Sequence, residues 1–119
     1  MTAPHISGII LDVSDGPRAA TFWSGVFEVE VAFEFDEFVF FDVDAIHLVL
    51  QMVPDPKVVK NRAHFDLTSD DPDELVERVI GLGGSVASEV DKPTYALTVL
   101  ADPDGNEFCV SRQPSTGLL

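Results

Sequence analysis

A chain of 119 residues and 13.0 kDa, 45% of them hydrophobic, has the size of one domain and enough apolar side chains for a real core, which excludes a disordered segment. Seven Lys and Arg against 21 Asp and Glu leave a net charge of −14, and such a chain repels phosphate backbones and anionic headgroups, so neither nucleic acid nor membrane is expected as a partner. A single cysteine excludes an internal disulfide, Met1–His5 shows no basic segment leading into an apolar run, and no stretch approaches ~18 apolar residues, so a cytoplasmic protein is expected.

In chain order, a strand is expected at about His5–Val13, followed by a helix that starts at Pro17 with Asp15 or Gly16 as its cap. Ala19, Phe22, Trp23, Val26 and Phe27 recur at helical spacing and mark the buried face. From Glu28 to Asp36 the period changes to two: Val29, Val31, Phe33 and Phe35 alternate with acids and Ala32, the pattern of a strand with one wet face. Strands are also expected at Phe38–Val43 and Ile46–Val53, joined by a turn at Asp44-Ala45. Pro54–Asn61 reads as a linker.

The second half repeats the first. I-I-L-D-V-S at 9–14 is echoed by H-F-D-L-T-S at 64–69, and a helix start follows each, at Pro17 and Pro72. A strand at Ala63–Leu67 precedes a helix capped by Asp71, with Glu74 placed for a capping box and Gly83-Gly84 as its end. Strands at Ser85–Val90, Thr94–Leu100 and Asn106–Ser111 complete the module, and Asp102-Pro103-Asp104-Gly105 has the composition of a tight turn. The order is βαβββ twice: module one about 5–53, module two about 62–113.

This order, with K-N-R-A-H-F-D-L (Lys60–Leu67) opening the second half and A-D-P-D-G-N-E-F-C-V (Ala101–Val110) closing it, resembles the vicinal-oxygen-chelate superfamily, in its glyoxalase-like branch. That superfamily includes glyoxalase I, the extradiol dioxygenases and the bleomycin-resistance proteins. The resemblance implies an α+β fold in which two βαβββ modules form an open, cupped mixed sheet with the helices on its convex side, a single glyoxalase-like domain over 1–119. In metal-using relatives one ligand comes from the first and one from the last strand of each module. By resemblance those places fall on Gly8, Gln51, His64 and Cys109, of which only His64 matches. A glycine, an amide and a thiol do not replace the Glu and His that an octahedral divalent ion wants, so no metal and no cofactor are expected.

Strand parity sends Arg62, His64 and Asp66 to one side and Ala63, Phe65 and Leu67 to the helix side. His64 then has two open readings, a hydrogen-bonder or general base in a cavity, or a vestigial ligand satisfied by a neighbour. Gln51 shares a face with His47 and Val49, and its amide wants a partner there. Cys109, sharing a face with Glu107, is a nucleophile only if something lowers its pKa, and otherwise a small buried apolar group. Arg62, with Lys57 and Lys60, either grips an anion at a cavity mouth or offsets the acidic body. The seven acids of Glu28–Asp44 form a solvated face or receive a cationic ligand. Trp23 belongs to the core or to a dimer interface.

The expected function is a metal-free small-molecule binder of the glyoxalase/bleomycin-resistance type, for sequestration of a drug or metabolite, with Gln51, His64, Arg62 and Cys109 as ligand contacts. The alternative is a metal-independent lyase, isomerase or hydrolase with His64 as base, assisted by Asp66 or Gln51. A third reading is an inert structural dimer whose cavity is filled by its own phenylalanines. A small organic ligand and a second copy of the chain, as a homodimer, are the expected partners.

Overall fold

The computed structural model describes residues Ala3–Ser115, and the chain divides into two compact units after Pro56, inside the expected linker. Among the described residues no helix is long and apolar enough to cross a membrane. Each unit is a βαβββ module: a four-stranded mixed sheet with one helix packed on it. The strands form two separate sheets, one per module.

The first module runs β1 (Gly8–Val13), α1 (Gly16–Phe27), β2 (Phe33–Phe35), β3 (Phe38–Val43) and β4 (Ile46–Met52), in sheet order β1-β4-β3-β2. Asp15 caps α1, its carboxylate accepting from Arg18 N at 3.1 Å, and Pro17 sits in the first turn as expected. The helix buries Ala19, Phe22, Trp23 and Val26 against Val13, Val39, Phe41, Leu48 and Leu50. Phe22 meets Trp23 edge-on at 4.9 Å, and Trp23, with no exposed surface, is core. The expected strand from Glu28 is shorter than its alternation suggests. Glu28 closes the helix in the left-handed region at φ 55°, Val29 N donates to Ser24 O, and Ser24 Oγ donates back to Val29 O. Those Val29 groups are withheld from a sheet, and the first bond to β3 is Ala32 N to Phe40 O at 2.8 Å, with the paired strand starting at Phe33. A second left-handed residue, Asp36 at φ 50°, turns the chain into β3 where the alternation predicts continued strand.

The second module runs β5 (Asp66–Leu67), α2 (Pro72–Gly81), β6 (Ser85–Asp91), β7 (Ala96–Ala101) and β8 (Glu107–Arg112), in order β5-β8-β7-β6. Asp71 caps α2 by accepting from Glu74 N at 3.1 Å, but the reciprocal half of the capping box is replaced: Asp71 N donates to Ser69 Oγ. Leu75 and Val79 pack with Leu100, Phe108 and Val110. Arg112 fastens α2 to the sheet, donating from Nε to the buried Thr98 Oγ1 and from Nη2 to Asp73 Oδ1, each at 2.6 Å.

The D-P-D-G turn is built on one buried carboxylate. Asp102, 4% exposed, accepts from Asp104 N at 3.0 Å and from Asn106 N at 2.7 Å through Oδ1, and from Asn106 Nδ2 at 3.2 Å through Oδ2. Gly105 takes φ 89°, a conformation open to glycine and costly to other side chains. The turn thereby sets where β8 begins and which of its residues face which way. Asp102→Ala leaves those donors unsatisfied and should lower unfolding free energy by about 1.5–3 kcal/mol, the worth of hydrogen bonds to a charged acceptor. Urea unfolding followed by far-UV circular dichroism measures it.

Candidate functional site

Where the helix covers one face of each sheet, the pleat directs alternate side chains to the other. In the first module the register pairs Phe38 with Gln51, Phe40 with Val49, Phe33 with Phe40 and Gly8 with His47. The open face therefore carries Gly8, Ile10 and Asp12 from β1, His47, Val49 and Gln51 from β4, and phenylalanines from β2 and β3. On it lies a cavity of about 400 Å³ walled by Ile10, Phe35, Phe38, Phe40 and Val49, with Ser7, Gly8 and His47 completing it. Phe33 and Phe40 stack at 4.2 Å, and His47 stands edge-on to Phe40 at 5.9 Å. His47 Nδ1 lies 2.8 Å from Asp42 Oδ1, and the shielded Nδ1 makes no hydrogen bond among the described residues. Sequence reasoning passed over Phe35, Phe38, Phe40 and His47 as site residues. The available signal was parity, since Phe38 and Phe40 must share a face with Gln51 and Val49 once β3 and β4 pair as a hairpin.

In the second module the strand expected at Ala63–Leu67 is reduced to Asp66–Leu67, with His64 two residues ahead of it and Arg62 and Ala63 in a bend. Cys109 N donates to Phe65 O at 3.0 Å, the register sets Asp66 opposite Cys109, and Phe65 stacks on Phe108 on the helix side. His64 is thereby turned to the other face with Asp66 and Cys109. The ligand atoms of these three residues all lie within 4.8 Å of one another, with Cys109 Sγ 3.9 Å from His64 Nδ1. His64 and Asp66 are exposed while Cys109 is 3% exposed. Glu107, which shares the Cys109 face, is already engaged: its carboxylate accepts from Lys60 Nζ at 3.2 Å and its N–H donates to Asn61 Oδ1 at 3.0 Å. Arg62 is exposed and makes no ion pair among the described residues. Gln51 is half-buried on the first module's open face.

Burial pushes the Cys109 thiol up, and the Asp66 carboxylate beside it adds to the shift, outweighing nearby Lys60. The thiol is therefore protonated at neutral pH, the opposite of what a nucleophile requires. The four-place metal arrangement implied by resemblance does not fit either. Gly8 has no donor, and a Cβ built there would stand 3.0 Å from the His47 carbonyl oxygen, tighter than ordinary contact. An amide, an imidazole and a thiol remain, without the carboxylates an octahedral ion prefers.

The comparisons agree with this fold. A family model described as "Glyoxalase-like domain" matches residues 8–111. Metallothiol transferase FosB of Lysinibacillus sphaericus (strain C3-41) is 25% identical over 118 residues, covering 91% of this chain and 82% of that protein. The crystal structure of the fosfomycin resistance protein FosX from Listeria monocytogenes superposes with a TM-score of 0.78 at 18% identity, over 99% of this chain and all of the other. A glyoxalase-related enzyme from Fulvimarina pelagi gives 0.75 at 20% identity, over 92% of this chain and 88% of that one.

The raised thiol makes a prediction for chelator-treated protein. Iodoacetamide should label Cys109 slowly at neutral pH, the rate climbing only above the ordinary thiol value of 9.0, and Asp66→Asn should shift that profile to lower pH. Because the folded thiol titrates above the unfolded one, its contribution to stability is full below the unfolded pKa and is lost as pH rises through the folded one. Labelling rate against pH, read by mass spectrometry, tests this.

Proposed function

Since the chain belongs to the glyoxalase-like domain family, matched over residues 8–111, we propose that it is a small-molecule-binding protein that sequesters an organic ligand with an apolar, aromatic body. The observation that carries this reading is the cavity of about 400 Å³ on the open face of the first module. That volume lies within the ~300–1,000 Å³ range of small-molecule sites, and an apolar lining with few polar groups is their usual make-up. Phe35, Phe38 and Phe40 offer faces and edges for a planar ring, and a ring placed there adds roughly 0.5–1.5 kcal/mol per aromatic pair beyond its burial. His47 supplies a polar atom at the wall, and Gln51, opposite Phe38 in the register, an amide to orient the ligand. Sequestration asks for no reaction, so it requires neither an activated Cys109 nor a metal of the superfamily's octahedral type.

Ile10, Phe33 and Phe35 keep 56%, 50% and 62% of their surface exposed on this face, apolar area that binding would remove from water. The homodimer expected from the sequence is part of the same proposal, and sedimentation velocity reads it directly.

A panel of planar aromatic metabolites and antibiotics, screened by thermal shift, tests the reading. A ligand at 100 times its dissociation constant should stabilise the protein by about 2.7 kcal/mol. Phe35→Ala, a change at an exposed wall residue that spares the core, should weaken the first ligand found by about 1.5–3 kcal/mol, the worth of burying a phenylalanine. A panel without a hit, or a ligand indifferent to Phe35→Ala, would remove the basis for a ligand in this cavity.

A further inference from the structure

Along β3, every second residue points to the open face, so Phe38, Phe40 and Asp42 stand there in line, in steps of roughly 7 Å. The row of phenylalanines thus ends in a carboxylate. Asp42 lies opposite His47 in the β3–β4 register, and His47 with Ser7 lines both the aromatic cavity and a neighbouring one of about 360 Å³. That neighbour also takes in Asp42 and Asp44. One module therefore carries two cavities with a shared wall, the first aromatic and the second acidic.

Resting on the reading of the aromatic cavity as a ligand site, we infer that its ligand is a cation: a planar aromatic amine whose ring lies against Phe35, Phe38 and Phe40 and whose ammonium passes Ser7 and His47 toward Asp42 and Asp44. The cavity makes the site, and the acids decide its preference. No lysine or arginine lines either cavity. Among the described residues neither carboxylate pairs with one, and the ion contact of Asp42 is with His47. The imbalance extends through the module. Residues 1–56 hold ten acids and one base, Arg18, a net −9 of the chain's −14, and Arg18 stands on α1, which packs against the opposite face of the sheet.

Charge and shape act in the same direction. Charges of one sign around a cleft with apolar walls focus their field there and concentrate ligands of the opposite sign. Phenylalanine faces are the negative side of the ring quadrupole and attract a cation as well. A ligand carboxylate would meet like charge with no base beside it, and a neutral ring would bind through burial alone. An amine one carbon away from a fused ring spans the single step from Phe40 to Asp42.

Three ligands of nearly one shape separate charge from burial: naphthylmethylamine, naphthylmethanol and naphthylacetate. Each is titrated calorimetrically into the full chain at low ionic strength, in mildly alkaline buffer where the amine is charged and an ordinary imidazole is not. The amine should bind roughly 3–30-fold tighter than the alcohol, the combined worth of one exposed ion pair and one cation–π contact, and the carboxylate should bind weakest. Added salt should shrink the amine's advantage. Asp42→Asn together with Asp44→Asn should lower amine affinity by about 3-fold or more and leave that of the alcohol unchanged. Asparagine tolerates the left-handed conformation of residue Asp44, so the turn is kept. Glu77→Gln with Glu89→Gln removes the same charge from exposed places on the second module and should change neither affinity. An alcohol or carboxylate that binds as tightly as the amine, or an amine indifferent to the Asp42 and Asp44 changes, would overturn the charge assignment. If those ligands still weaken with Phe35→Ala, the aromatic cavity stands without it. No binding by any of the three would overturn both.

Discussion

In each module one helix lies against one face of a four-stranded sheet, and the pleat then assigns every strand residue to the covered face or the open one. Phe41, Leu48, Leu50, Phe108 and Val110 go under the helices and lose nearly all contact with water. Their immediate neighbours in sequence are directed the opposite way. A register slip of one residue would exchange the two sets, burying His64 and Asp66 beneath α2 and exposing Phe65 and Leu67. Correct register is thus the condition for the core and for both candidate sites. It is held by local devices: left-handed residues at Glu28, Asp36 and Asp44, and the Asp102 turn that sets the start of β8.

The two modules share a plan and differ in what their open faces carry. The first spends that face on aromatic surface, with Phe33 stacked on Phe40 and a cavity among them. The second brings an imidazole just ahead of β5 together with a carboxylate on β5 and a thiol on β8. The division follows from what each face needs. An apolar wall gains from burying a ligand, while polar side chains so close to one another must be satisfied by hydrogen bonds or by water.

The acidic composition has a consistent local expression. Acids cap both helices through Asp15 and Asp71, organise a turn through Asp102, and approach His47 through Asp42. Few bases are available to offset them, and those that pair include Arg112 with Asp73, Lys60 with Glu107 and Arg78 with Glu74. The Lys60 pair matters beyond its small surface energy, because it occupies the carboxylate nearest in sequence to Cys109.

Much of the fold is legible in the sequence because its signals are local. Helical spacing of Ala19, Phe22, Trp23 and Val26, proline after an aspartate cap at both helix starts, and the repeat of the βαβββ order require no distant partner to be read. The parity that sends His64 and Phe65 to opposite faces is of the same kind. The length of β2 was not legible, since Glu28–Asp36 alternates like a strand while the helix cap at Glu28 takes its first backbone groups. The sites depended on pairing between strands far apart in the chain: Asp66 meets Cys109 only through the parallel β5–β8 register, and Phe40 faces Val49 only through the β3–β4 hairpin. The sequence by itself determined which residues alternate and where helices start. Only the tertiary structure decided which alternating residues converge, because convergence is a property of register between strands, and register is chosen by the packing of whole faces.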